Sequence, residues 1–218
     1  MRLSDIPKTI KILKEECRRF KTPYVTEVAA GKKDPFKVLV SCILSLRTKD
    51  LVTRKASERL FRLASTPFEL AALLPSVIEK AIYPAGFYRV KAVALRHISN
   101  ELIKNYGGRV PDTIDELLTL KGVGRKTANL VVTMGFNKPG ICVDTHVHRI
   151  TNRWGFVSAG TPDETEAALR KKLPKRYWIT INDLLVTYGQ NICTPLSPFC
   201  GRCRIYGYCK REGVEKQR

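Results

Sequence analysis

The chain has no apolar run of the ~20 residues needed to cross a bilayer, so no membrane span is expected. Its opening stretch, MRLSDIPKTIKILKEECRRF, has charges at helical spacing and no long apolar core, which excludes a secretory signal. A cytoplasmic, nucleoid-associated location is therefore expected. Acidic residues are scarce: 20 Asp plus Glu face 39 Lys plus Arg, leaving a net charge of +19. Such an excess favours a polyanion and speeds encounter with it. A ribosomal protein or a binder of anionic membranes would share the trait. The basic residues are interleaved with apolar ones along the chain and not gathered in a tail, which points to a folded domain with a charged face. Glutamine occurs only at 190 and 217, a faint mark of a heat-adapted source. No window of strict alternation marks a strand, and no segment is of low complexity.

What remains is helical periodicity. The pattern predicts helices near 5–20, 35–46, 49–63, 67–73, 75–81, 87–105, 113–120, 124–135, 145–154, 162–172 and 176–190. Proline and glycine punctuate most of the boundaries. At 218 residues the chain can bury a real core, as one domain or as two small ones. Residues 210–218 are charged and are expected to fray.

The most informative stretch is residues 120–145, LKGVGRKTANLVVTMGFNKPGICVDT. Thr113 and Glu116 form a T-x-x-E signature that opens a helix with Ile114, Leu117 and Leu118 on its apolar side. The Gly122-Val123-Gly124 hairpin follows, then a second helix burying Ala128, Val131 and Val132. Glycine lets the backbone turn with positive φ and approach a ligand without a Cβ in the way. The first N–H groups of the second helix lack intrahelical partners and suit a phosphate, although an ordinary helix–helix turn would look the same. Lys126 stands in the first turn of that helix, with Lys121 and Arg125 close by. This is a poor place for an ammonium, and an uncharged lysine is a nucleophile toward an aldehyde carbon. One more phosphate-binding lysine is the alternative, and spacing does not choose. Asp144 precedes a helix starting at Thr145 and suits an N-cap; a capping carboxylate can also face an active site.

Seven cysteines are present, four of them clustered as C-x6-C-x2-C-x5-C: Cys193, Cys200, Cys203 and Cys209. A reducing compartment disfavours two disulfides, so a metal is the better explanation. Zinc suits four thiolates, and a [4Fe–4S] cluster is its rival. Arg202, Arg204 and Lys210 interleave with these residues and would add a phosphate-contacting surface. Cys17, Cys42 and Cys142 sit among apolar residues as buried thiols. His146 and His148 point to different helix faces, which argues against a shared metal.

LKGVGRKTANLVV followed by VDTHVHRI resembles the helix–hairpin–helix superfamily of DNA base-excision glycosylases, and the endonuclease III family within it, over nearly the whole chain. The resemblance implies an all-α, two-lobed fold: a six-helix lobe at 28–138 carrying the hairpin, and a lobe of 1–27 with 139–218 carrying a [4Fe–4S] cluster on the four cysteines. It implies Lys126 as nucleophile and Asp144 as catalytic aspartate, facing each other across the cleft between lobes. The substrate would be double-stranded DNA bearing a damaged pyrimidine, handled by a monomer that releases the base and cleaves the abasic site. Gly122, Val123, Gly124, Arg125 and Thr127 would hold the backbone, with His146 near the DNA. Arg47, Ala85 and Phe87 fall in loops that enter the duplex in this family; its bacterial members usually carry Gln, Ile and Leu there. A core position for Phe87 is the alternative. A mismatch or purine glycosylase of the superfamily would usually carry Ser or Tyr at 126. A non-catalytic DNA-binding module with a structural metal would not need both Lys126 and Asp144.

Overall fold

The computed structural model describes residues 1–21, 23–30 and 34–218, and among them there is no strand. In chain order the helices are α1 Ile6–Cys17, α2 Tyr24–Ala30, α3 Pro35–Ser45, α4 Asp50–Leu63, α5 Pro67–Ala72, α6 Pro75–Ile82, α7 Tyr88–Tyr106, α8 Ile114–Thr119, α9 Arg125–Leu130, α10 Thr145–Arg153, α11 Pro162–Lys172 and α12 Trp178–Asn191. None is long and apolar enough to cross a membrane.

Local chemistry fixes many helix starts. Proline stands in the first turn of α3, α5, α6 and α11, where its missing N–H costs nothing. Thr66 with Glu69, and Thr161 with Glu164, close reciprocal capping boxes on α5 and α11. Thr113 caps α8 by accepting from the Glu116 N–H, but the Glu116 carboxylate meets the Thr113 hydroxyl at 2.5 Å.

Chain contacts divide the molecule into two units, Tyr24–Gly140 and Met1–Pro23 with Ile141–Arg218. In the first of these, α3 is buried on nearly every side, from Phe36 through Leu44, as a central helix must be. It packs on α2, α4, α7 and α9, while α7 also covers α5 and α6. Below the hairpin, Leu117, Leu120 and Ala128 are fully buried. After α9 the helix continues as one π turn, Val131–Gly135. There the Thr133 hydroxyl donates to the Asn129 and Leu130 carbonyls (2.7 and 3.3 Å), competing with the backbone ladder.

In the other unit α10 packs on α11 and α12, and α1 on α12. Its core joins Ile6, Ile10 and Leu13 to Ile150, Trp154, Phe156, Leu185 and Tyr188. The N-terminal ammonium donates to the Trp154 carbonyl at 2.7 Å, tying the chain start to this core.

Three local expectations are corrected. Helix α2 has no counterpart in the sequence pattern; its seven residues, YVTEVAA, include three β-branched ones, a weak helical signal. Leu118 is 39% exposed and leaves the apolar face to Leu117. Residues 210–218 are tied in: the Arg218 N–H donates to the Pro198 carbonyl (2.8 Å), and the Arg218 guanidinium lies 3.9 Å from the Phe199 ring centre.

Candidate active site

Gly122 has φ +95, a left-handed conformation that L side chains rarely adopt, and Val123 N–H closes the turn onto the Leu120 carbonyl at 3.0 Å. Gly124 is the N-cap of α9 and supplies no side-chain cap. Neither glycine has a heavy atom within 4 Å of where a Cβ would stand, so both face open space. Val123 and Thr127 are buried, so at those two positions only backbone is offered outward. Arg125 and Lys126 occupy the first two helical positions and are exposed. Lys126 acts on the thiol of Cys42, in the last turn of α3. Burial pushes that thiol up to about 12, and the lysine charge works in the opposite direction.

Three residues beyond Cys42, the loop at residues 45–50 begins. It meets the loop at residues 85–89 in one construction. Arg47 (φ 51) and Phe87 (φ 57) are both non-glycine residues in the left-handed region. Such strain persists only where surroundings enforce it, and it gathers at functional sites. The Arg47 guanidinium lies 5.5 Å from the centre of the Phe87 ring, and Phe87 is 59% exposed, which rules out a core role. Ala85 is 1% exposed, so its methyl group packs inside the loop. Behind Phe87, the α7 side chains Val90, Val93 and His97 share an apolar groove with Lys121 and Gly122 of the hairpin. His97 also approaches Glu101, one turn along the helix, at 3.5 Å.

In the other unit Asp144 caps α10 as its position predicts. Its Oδ1 accepts from the N–H groups of His146 and Val147, each at 2.9 Å, and the residue is 9% exposed. His146 is half-buried over Gly189, with Nδ1 3.1 Å from the Arg149 guanidinium. His148 pairs instead with the Thr165 hydroxyl at 2.8 Å, so the two histidines have separate surroundings.

Cys193, Cys200, Cys203 and Cys209 line one pocket together with Arg153 and Tyr188. The Arg153 guanidinium donates to Cys193 Sγ (3.4 Å), to the Thr194 carbonyl (2.7 Å) and to the Pro195 carbonyl. The Tyr188 hydroxyl donates to Cys203 Sγ at 3.2 Å. Burial raises the thiols of Cys200 and Cys203, and that of Cys209 to about 11. Among the described residues, no three His, Cys, Asp or Glu side chains are grouped so as to hold a metal ion.

Sequence reasoning missed the two arginines that build this region. Arg149 donates to the carbonyls of Gly189 (3.3 Å) and Cys193 (2.8 Å), and Arg153 works as described, both from α10. Arg204, expected to face phosphate, is engaged with Glu15 and Glu16 at 3.3 and 3.4 Å. Of the other three cysteines, Cys42 and Cys142 are buried, while Cys17 is half-buried and donates to the Leu184 carbonyl at 3.5 Å.

With this geometry in hand, likeness to known proteins is informative. Residues 40–175 match the HhH-GPD superfamily of base excision DNA repair proteins. The endonuclease III of Thermotoga maritima is 51% identical over 177 residues, which are 81% of this chain and 83% of that protein. Endonuclease III homolog 2 of Arabidopsis thaliana is 45% identical over 82% of this chain, which spans 48% of that longer relative. A solved structure of a trapped endonuclease III–DNA covalent intermediate superposes with a TM-score of 0.84 at 32% identity, covering 97% of both chains. The chain belongs to the HhH-GPD superfamily of base excision DNA repair proteins, and within it to the endonuclease III family.

Proposed function

We propose that this chain binds double-stranded DNA and excises oxidised pyrimidines such as thymine glycol, with Lys126 as the nucleophile that also opens the abasic site. As an endonuclease III it is a bifunctional DNA glycosylase and abasic-site lyase. The observation that carries the residue assignment is an exposed lysine in the first turn of a helix, directly after a glycine hairpin open to a phosphate.

A base inside a duplex is out of reach, so the nucleotide must leave the stack, most cheaply when the lesion has already weakened stacking. The hairpin, with Arg125 and the backbone of Gly122, Val123, Gly124 and Thr127, holds the phosphates. Phe87 fills the vacated space by stacking, and Arg47 donates to the orphaned base. Lys126 Nζ then attacks C1′. The glycosidic bond breaks, and the base leaves with the bonding pair and takes up a proton. The sugar opens to an imine on Lys126. Loss of a C2′ proton and cleavage of the C3′–O bond release the 3′ phosphate, and water frees the lysine. Asp144 stabilises positive charge on the sugar and assists the proton transfers. His146 lies on the first turn of the same helix and is assigned to the DNA side.

Cys193, Cys200, Cys203 and Cys209 would hold a [4Fe–4S] cluster, whose contribution is structural. Four soft thiol donors line one shared pocket, a donor set that suits such a cluster. Yellow-brown protein containing iron and sulfide is the expected result; colourless, zinc-containing protein would remove this assignment. Two lobes, a monomeric state and a nucleoid location complete the proposal.

The deciding experiment is borohydride trapping on abasic-site and thymine-glycol duplexes. Wild type should form a covalent adduct, and Lys126→Ala should bind DNA but form none. Trapping by the alanine variant would overturn the assignment. Binding without cleavage by the wild type would leave a passive DNA-binding module.

A further inference from the structure

Lys91 is 7% exposed, and none of the chemistry above uses it. Its ammonium has three protons and three acceptors: the Leu44 carbonyl (2.8 Å), the Leu46 carbonyl (2.6 Å) and the Thr48 hydroxyl (2.9 Å). Leu44 and Leu46 lie at the C-terminal end of α3, where helix carbonyls lack intrahelical partners and a cation is favoured. Thr48 is saturated in the same way. Its hydroxyl donates to the Leu46 carbonyl (3.2 Å) and accepts from Lys91 and from the Gly86 N–H (3.0 Å). A Cβ at Gly86 would stand 2.4 Å from the Arg47 carbonyl oxygen, so only glycine allows the loops this close. The three Lys91 protons and the Thr48 hydroxyl are thus all used, and Thr48 and Gly86 are the chain neighbours of Arg47 and Phe87.

We propose that Lys91 and Thr48 form a clip that locks the loops at residues 45–50 and 85–89 into a single rigid wedge. Lys91 is a positioning residue for nucleotide extrusion, acting through Arg47 and Phe87. Without the clip the two strained residues relax independently, and the wedge no longer fills the gap in the stack. Burial lowers the Lys91 ammonium to about 8, which still leaves it charged, with all three protons in use, at neutral pH. The proposal rests on the assignment of Arg47 and Phe87 as the wedge.

The test uses the full chain and a thymine-glycol duplex with 2-aminopurine beside the lesion, whose fluorescence rises when the stack opens. Lys91→Met should cut that rise and slow base release by about tenfold or more, as loss of a positioning contact does. Cleavage of an abasic site in single-stranded DNA, which needs no wedge, should stay within about twofold of wild type. Thr48→Val should act in the same direction with a smaller loss, and it carries the test if Lys91→Met does not fold. A wild-type fluorescence rise in both variants overturns the clip. Equal losses on the duplex and the single strand also overturn it, because they mark a merely structural role. Phe87→Ala separates the two layers. If it leaves the fluorescence unchanged, the wedge assignment falls and the clip with it; if it abolishes the rise while Lys91→Met does not, only the clip falls.

Discussion

The hairpin and the cysteine loop are both irregular backbone carrying functional groups, and they are held in opposite ways. The hairpin is anchored from below by its own neighbours in sequence, Leu117, Leu120, Val123 and Ala128, all buried. Its outward face is backbone and open space. The cysteine loop lines a pocket, and its carbonyls and sulfurs are plugged by side chains from elsewhere, chiefly Arg149, Arg153 and Tyr188. The first arrangement rests the fold of the hairpin on its buried apolar neighbours. The second makes folding and function hard to separate.

That contrast can be attacked at four points. The largest effect belongs to Lys126→Ala, which should lower cleavage of abasic DNA on the order of 10³-fold or more. Its unfolding temperature should fall by less than that of a cysteine variant; an equal fall would erase the contrast. Cys203→Ser should do the reverse, losing the proposed cluster and roughly 3–5 kcal/mol of stability, about 10 °C in thermal unfolding. Arg153→Met leaves the Thr194 and Pro195 carbonyls and Cys193 Sγ without their donor and should cost about 2–3 kcal/mol by denaturant unfolding, although all four proposed ligands remain in the chain. The smallest effect on stability is the sharpest on mechanism. Gly124→Ser supplies the N-cap that α9 lacks and meets no protein atom within 4 Å. Stability should change by only about 0.3 kcal/mol, upward, while DNA affinity falls because the new side chain stands where a phosphate must approach. Unchanged affinity would remove the phosphate from the hairpin.

The same contrast explains what was legible in the sequence. The hairpin, the Asp144 cap and the cysteine spacing are local patterns, and physical chemistry reads them at a distance of a few residues. The Lys91 contacts join residues 43 to 47 apart, and the Arg149 and Arg153 contacts to the cysteine region join residues 40 to 44 apart. No spacing rule reaches so far. Ala85 shows the limit from the other side: proline and glycine mark a loop there, but which of its side chains face inward depends on α7 and on the neighbouring loop. Of the two lysines, Lys126 is flagged by the glycines before it, whereas Lys91 lies in a helical pattern that gives no sign of what its tip will meet.

Gly189 carries a last consequence. A methyl group there would sit 2.4 Å from His146 Nδ1 and 3.0 Å from an Arg149 nitrogen, so a single missing carbon sets how closely α12 can pass beneath α10. The aim of the Asp144 carboxylate is fixed in part by a residue with no chemistry of its own. Added bulk is better placed along Val90 and Val93, where an exposed groove has room, than at that position.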